Sequence, residues 1–337
     1  MSESFKWGII GCGAIAPKFF QSLEKTGEGR VVAAASKSMR RAKRFQRTTG
    51  VERIYDSYEQ MLESEKLDAV YIATSHNFHY ENTKLCFEHD VPVLIEKSFA
   101  RNEAETEELI DVAHLKNLFL MEAMWTRFNP AIVRLCELLR EGAIGDVKHL
   151  QAAFCVKMNP LSLKMAPWNR VYSPRLAGGA LLDLGVYAVS FARMVFGQPP
   201  ARVSSTVKMA WTGVDATSEY NLDYPGGKRA DLISSFRMNR PRDAVITGSS
   251  GIIRIPDFTH PSKMIITRIG RAPETLRIEP ERLDHGGPGF QHQIREVHRC
   301  LREGLIESPM MPLNETLEIV RTMDACRALW GMKYPGE

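Results

Sequence analysis

Short apolar runs alternate with amphipathic stretches over residues 1–124. The runs Trp7 to Ile10, Val31 to Ser36, Ala69 to Ala73, Val93 to Glu96 and Phe119 to Met121 predict strands. The stretches at Ile15 to Lys25, Met39 to Thr48, Tyr58 to Ser64, Phe78 to His89 and Glu103 to Lys116 predict helices. Strands bounded closely by turn residues, each followed by a helix long enough to cross a sheet, predict a doubly wound parallel sheet of the Rossmann type. In that arrangement ligands sit beyond the carboxyl ends of the strands, so chemistry is sought there.

The rhythm changes at Trp125, and residues 125–337 are read as a second, α+β domain. A helix is expected from Pro130 to Glu141 and a strand from Val147 to Lys157. Further strands are expected at Arg202 to Met209, Ser218 to Tyr224, Asp231 to Arg237, Ala244 to Gly248, Ile252 to Ile255 and Met264 to Ile269. Turns such as Pro225-Gly226-Gly227 favour antiparallel joins, which predicts a large, open, mostly antiparallel sheet backed by helices. The Gly-rich stretch Asp284 to Gln293, which contains His285 and His292, reads either as a plain connection or as a mobile loop bordering a site, with helices at Ile294 to Arg302 and Leu313 to Trp330 after it.

Length agrees with this division, since 337 residues exceed what one ordinary core serves. Charged residues make up 25% of the chain and the net charge is only +4, with no long run of one sign, so nucleic acid is not an expected partner. Six well-separated cysteines without a CxxC pair, and no His cluster at ligand spacing, predict reduced thiols and no metal site. The amino-terminal residues are polar and lead straight into a short strand, which predicts a cytoplasmic protein with no membrane partner.

Gly11-Cys12-Gly13-Ala14-Ile15-Ala16 follows the first strand directly and opens a helix, the GxGxxA form of a dinucleotide fingerprint. Gly11 permits the tight turn, Gly13 lets a pyrophosphate approach the backbone amides around Ala14 and Ile15, and Ala16 permits close packing of helix on strand. A carboxylate for the ribose 2′-hydroxyl of NAD belongs at the end of the second strand. The chain instead offers Ser36, Lys37, Arg40 and Arg41, which suit a 2′-phosphate and predict NADP. Lys37 to Arg47 also reads simply as a solvated helix face. Thr74, His76, Asn77 and His79 leave the next strand and either line the cofactor or cap the following helix.

Two further groups carry candidate chemistry. Glu96 and Lys97 end the strand Val93 to Glu96 at the edge where a nicotinamide is presented, although a Glu-Lys pair is usually a surface feature. Asp183 and Tyr187 are four residues apart after Gly178-Gly179, so both face one side of a helix. They read either as a proton-sharing pair or as a capping acid with a core tyrosine.

The ordered set GCGAIA, HNFH, EKSFA, MEAMWTRFNP and GGALLDLGVY resembles the glucose-fructose oxidoreductase and inositol dehydrogenase family, Gfo/Idh/MocA, over nearly the whole chain. Met121 to Pro130 and Gly178 to Tyr187 look most like its dihydrodiol and D-xylose dehydrogenase branch. The resemblance implies a Rossmann domain, an open antiparallel sheet whose outer face pairs subunits into a homodimer, and catalysis by Lys97, Asp183 and Tyr187. Ser98 stands where the family carries Pro, and that absence is expected to loosen the presentation of Lys97. Most of the family has His at the position of Tyr187. A phenol of ordinary pKa about 10 is a poor base near neutrality, so Lys97 is expected to lower it or share the proton.

Trp125, Arg127, Phe154, Trp168 and Arg170 flank these elements and supply candidate walls and anchors for a small-molecule substrate. The expected reaction is hydride transfer between a cyclic secondary alcohol, either an aldose or a trans-dihydrodiol, and NADP. The alternatives are a keto-sugar reductase of the same family and a non-catalytic NADP-binding regulator. A Rossmann reductase of semialdehydes or tetrapyrroles shares the first half of the chain but does not account for GGALLDLGVY.

Overall fold

The computed structural model describes residues 4–158, 170–279 and 289–337. The chain divides into two compact units, Met1–Trp125 with Glu281–Leu317, and Thr126–Pro280 with Glu318–Glu337.

In the first unit six parallel strands stand in the order β3-β2-β1-β4-β5-β6. They are β1 (Phe5–Ile10), β2 (Gly29–Ala35), β3 (Arg53–Tyr55), β4 (Ala69–Ile72), β5 (Val93–Glu96) and β6 (Leu120–Ala123), joined by α1 (Ala16–Thr26), α2 (Met39–Thr49), α3 (Tyr58–Ser64), α4 (His79–Glu88) and α5 (Glu103–Lys116). Parallel strands are covered on both faces and so are apolar throughout. Accordingly Ala33, Ala34, Ala35, Val70 and Ile72 are buried, and the core layer continues through Val93, Ile95, Leu109 and Leu120. Asn102 starts α5 by accepting from the Glu105 amide at 2.9 Å, and Asn117, left-handed at φ 54°, ends it. In this unit the strand absent from the sequence reading is β3, whose three residues are too few to show an alternation; in the second unit Glu274–Arg277 is likewise absent from it.

The second unit is built on eight strands in the order β14-β13-β12-β11-β7-β10-β9-β8. The chain enters it through α6 (Pro130–Arg140), which Asn129 caps by accepting from the Ala131 amide at 2.8 Å. It then forms β7 (Val147–Cys155). After a π-helical turn, Leu181–Gly185, comes α7 (Val186–Phe196). The remaining strands are β8 (Arg202–Met209), β9 (Asp215–Tyr224), β10 (Lys228–Ser235), β11 (Ala244–Gly248), β12 (Gly251–Ile255), β13 (Lys263–Arg268) and β14 (Glu274–Arg277). Every pairing is antiparallel except β7 with β10. The expected hairpin at Pro225 to Gly227 sets Tyr224 opposite Lys228.

Period-two alternation sends Leu150, Ala152, Tyr220, Leu222, Ala230 and Leu232 into the core, while Gln151 and Glu219 are exposed. Gly185 brings the helical segment onto the sheet, because a Cβ there would stand 2.7 Å from the hydroxyl of Tyr220. The stretch Pro174–Phe196 is apolar enough by length and composition to cross a membrane, but 78% of its most apolar window is buried as a core helix.

The chain then returns to the first unit. Here the sequence division at 124/125 needs amending, because Glu281–Leu317 belongs with the first unit. The helix α8 (Phe290–Arg302) packs on α1, and its His298 accepts from Trp7 Nε1 at 2.9 Å while stacking on Phe5 at 4.2 Å. This helix starts four residues before the expected Ile294, so the described end of the Gly-rich stretch, including His292, is helical; residues 284–288, with His285, lie outside the described residues. The last helix, α9 (Leu313–Leu329), follows.

Candidate active site

The turn between β1 and α1 is shaped as the fingerprint requires. Gly11 has φ 99°, and a Cβ on it would stand 2.9 Å from the Ala73 carbonyl carbon and oxygen, so only glycine fits. Gly13 and Ala14 are exposed, Ile15 opens α1, no described side chain caps that helix, and its first turn carries no acid. Backbone amides at such an end attract a pyrophosphate. Cys12 is no nucleophile here: burial pushes its thiol up to about 12, and Sγ lies 3.7 Å from the Ala35 carbonyl.

At the end of β2, Ser36 is buried; Lys37, just before α2, and Arg40 and Arg41, on its first turn, are exposed, and that turn also has no acid. The Lys37 ammonium sits 5.7 Å from the ring centroids of both Tyr58 and Phe78. Past β4, the four polar candidates separate. Asn77 Oδ1 is buried with no hydrogen-bond partner among the described residues, and Thr74 Oγ1 accepts from Asn82 at 3.2 Å. His76 and His79 are both buried, edge to face at 5.7 Å. His79 Nδ1 lies 2.8 Å from the Ser98 carbonyl and Nε2 lies 3.2 Å from the Thr74 carbonyl. His79 is therefore a brace rather than a cofactor-facing group, because its ring nitrogens face main-chain carbonyls inside the fold. The glycine cradle, the acid-free helix start and the orphaned Asn77 oxygen together fit a dinucleotide.

Glu96 is buried at the end of β5 and accepts a hydrogen bond from the hydroxyl of Tyr71, whose ring stacks on Phe19 at 3.8 Å. Lys97 is half-buried beside it. The expectation that Ser98 loosens Lys97 does not hold. Ser98 is fully buried, and the His79 ring bonds the Ser98 carbonyl.

In the second unit Asp183 lies in the π turn and Tyr187 in the first turn of α7. The carboxylate of Asp183 is paired with Arg170 Nη2 at 2.7 Å. Tyr187 packs at 5.6 Å against Phe154, whose ring also lies 5.7 Å below the Arg242 guanidinium. It lines a narrow cavity with Arg127, Ser190, Phe191 and Phe258. Arg127 Nε donates to Ser190 Oγ at 3.2 Å, which ties it to α7. Of the five expected pocket residues, Arg127, Phe154 and Arg170 gather around Tyr187 and Asp183. Trp125 belongs to the first unit, edge to face with Phe290 at 6.0 Å, and Trp168 lies outside the described residues.

Four residues escaped the sequence reading: Tyr71, which holds Glu96; Tyr58, which packs beside Lys37; and Asp215 and Tyr334, which bond to the turn before Asp183. Asp215 is fully buried on β9, and its Oδ2 accepts from the Leu181 amide at 2.8 Å and from Ser218 Oγ at 2.7 Å. Burial raises its carboxyl to about 6 against those hydrogen bonds. It is thus Asp215 that caps this helical segment, the role the alternative reading gave to Asp183.

Comparison with known proteins agrees with both units. A family profile described as an oxidoreductase family with an NAD-binding Rossmann fold matches residues 5–124, and the GFO/IDH/MocA C-terminal domain matches residues 132–254. The chain is 33% identical over 337 residues to a trans-1,2-dihydrobenzene-1,2-diol dehydrogenase of Mus musculus, covering 98% of each chain. It is 35% identical over 338 residues to the Xenopus laevis protein of that description, covering 98% of this chain and 99% of the other. Among solved structures, a 3-ketoreductase from Actinomadura kijaniata in complex with NADP and TDP-benzene superposes with a TM-score of 0.84 at 25% identity, covering 97% of this chain and 98% of that one.

Proposed function

The chain belongs to the GFO/IDH/MocA family of NAD(P)-dependent oxidoreductases, and from that premise we propose that it is an NADP-dependent dehydrogenase of cyclic secondary alcohols. The observation that carries this reading is the full-length likeness to enzymes described as trans-1,2-dihydrobenzene-1,2-diol dehydrogenases. The substrate class is therefore a trans-dihydrodiol of an aromatic ring or, as a hydroxylated ring of similar size, an aldose. Support for NADP comes from Lys37, Arg40 and Arg41 at an acid-free helix start.

When bound, the nicotinamide supplies the acceptor for hydride from the carbinol carbon. Tyr187, acting as its phenolate, takes the hydroxyl proton on Oη and becomes the neutral phenol as the carbonyl forms, and the Lys97 ammonium stabilises negative charge on the oxygen. Asp183, paired with Arg170, holds the guanidinium as an anchor for substrate hydroxyls. Phe154 provides an apolar face beside the phenol. The reverse direction, reduction of a keto-sugar, is favoured by the likeness to the 3-ketoreductase.

The test is turnover of NADP and NAD with trans-1,2-dihydrobenzene-1,2-diol, D-xylose and inositols, in the wild type and in Tyr187→Phe. The expected result is NADP-preferring oxidation that falls by about 10²- to 10⁴-fold in the variant, with NADPH affinity by fluorescence quenching unchanged. Undiminished turnover in Tyr187→Phe refutes the proton-transfer role, and equal use of NAD refutes the cofactor assignment.

A further inference from the structure

Two contacts that have no part in binding or proton transfer converge on Gly178 to Leu181, the turn that launches the helical segment carrying Asp183 and Tyr187. From β9, Asp215 holds the Leu181 amide at 2.8 Å. Its other oxygen lies so close to Gly179 that a Cβ there would stand 2.1 Å away, and Gly179 itself has φ 118°. From the segment after α9, Tyr334 is buried and donates its hydroxyl to the Gly178 carbonyl at 2.7 Å.

That segment is itself clamped. The buried Arg327 guanidinium lies 4.8 Å from the Tyr334 ring centroid and pairs with Glu337 and Asp324, each at 2.7 Å. Glu337 in turn accepts from the Tyr334 amide at 2.7 Å.

What these contacts hold is the π turn Leu181–Gly185. A π turn carries one residue more than the α-helix around it and is rarely stable on its own account. Were it to relax to α geometry, residues on one side would rotate by about 100° relative to the other, one residue's worth of helical turn. Asp183 sits inside the turn and Tyr187 follows it, so that rotation would change how the two side chains face each other.

We propose that Asp215 and Tyr334 are positioning residues for the reaction, pinning the turn at Gly178 and Leu181 so that the π geometry, and with it the offset between Asp183 and Tyr187, is kept. The inference rests on the reading of Tyr187 as the proton acceptor.

The test is Tyr334→Phe, which removes one hydroxyl and leaves the ring over Arg327. With trans-1,2-dihydrobenzene-1,2-diol and NADP, kcat is expected to fall about tenfold, the effect of one lost hydrogen bond on a barrier. The KM for NADP should stay within about twofold, since the Rossmann unit is untouched, and amides of residues 181–187 should exchange hydrogen about tenfold faster. Asp215→Ala should behave alike, and Asp215→Asn, which keeps an acceptor for the Leu181 amide, should recover most of the rate. A Tyr334→Phe protein with a lower melting temperature but unchanged kcat overturns the proposal. So does a loss of kcat without faster exchange in 181–187. If Tyr187→Phe retains full turnover in the same assay, the parent reading fails instead.

Discussion

Asp215→Asn gives the sharpest thermodynamic test. The Asp215 side chain is fully buried, and burial moves its carboxyl from an ordinary 3.8 to about 6. The folded protein therefore binds this proton more tightly than the unfolded chain. Its stabilising contribution is complete below about pH 4 and is lost as pH rises through about 6. A rise of about two pKa units, at 1.36 kcal/mol each, amounts to about 3 kcal/mol. Asparagine keeps an oxygen for the Leu181 amide but cannot titrate. Between about pH 3 and about pH 8 the second unit of the wild type should thus lose about 3 kcal/mol relative to Asp215→Asn. The assay is urea unfolding at four pH values, read by pulsed hydrogen exchange and mass spectrometry of peptides from residues 186–235, so that each unit is followed on its own. Comparing proteins at the same pH removes the intrinsic pH dependence of exchange. Parallel stability curves for the two proteins would refute the assignment of Asp215 as a buried, proton-binding cap.

The first unit should show the opposite dependence. His298 is buried with its Nε2 accepting from Trp7, and burial lowers it from 6.5 to about 4. Its contribution is therefore present above about pH 6.5 and lost as pH falls towards 4, by about 3 kcal/mol. His298→Gln should flatten that acid limb in peptides from residues 5–35, and an unchanged limb counts against it. For the cofactor, Lys37→Glu replaces a cation held over Tyr58 and Phe78 with an anion. The ratio of NADP to NAD affinity, measured by fluorescence titration, should drop at least about tenfold, as expected for a lost charge-assisted bond. A ratio that does not move excludes Lys37 from contact with the 2′-phosphate.

Periodicity and turn chemistry made most of the fold legible, because parallel strands buried on both faces and half-buried antiparallel strands leave different signatures in sequence. Hence β5 and α5 fall at the expected bounds, and β11 and β8 do likewise. The glycine cradle and the acid-free end of β2 are local features and were equally readable. What escaped depends on partners distant in the chain. Asp215 lies 34 residues from the amide it caps, and Tyr334 lies 156 residues from the carbonyl it reaches. No spacing rule connects them. His79 shows the converse: its place beside a strand end suggested a ligand contact, while its ring is spent on the carbonyls of Ser98 and Thr74. The missing Pro at position 98 pointed to a loose Lys97, and the same histidine supplies the anchoring instead.

The return of Glu281–Leu317 to the nucleotide-binding unit sets the order in which the protein is finished on the ribosome. Residues 1–125 emerge first, yet Trp7 lacks its His298 acceptor and α1 its covering helix until α8 has been made. At ~5–20 residues per second, the stretch from 125 to 289 takes roughly 10 to 30 s to synthesise. During that time the whole eight-stranded sheet is made while the older half still presents an apolar flank. The younger half in turn waits for Glu318–Glu337, which brings Tyr334 to the Gly178 carbonyl, so neither half closes completely until the final stretch is made, and a fragment cut at 125 would carry the same open flank permanently.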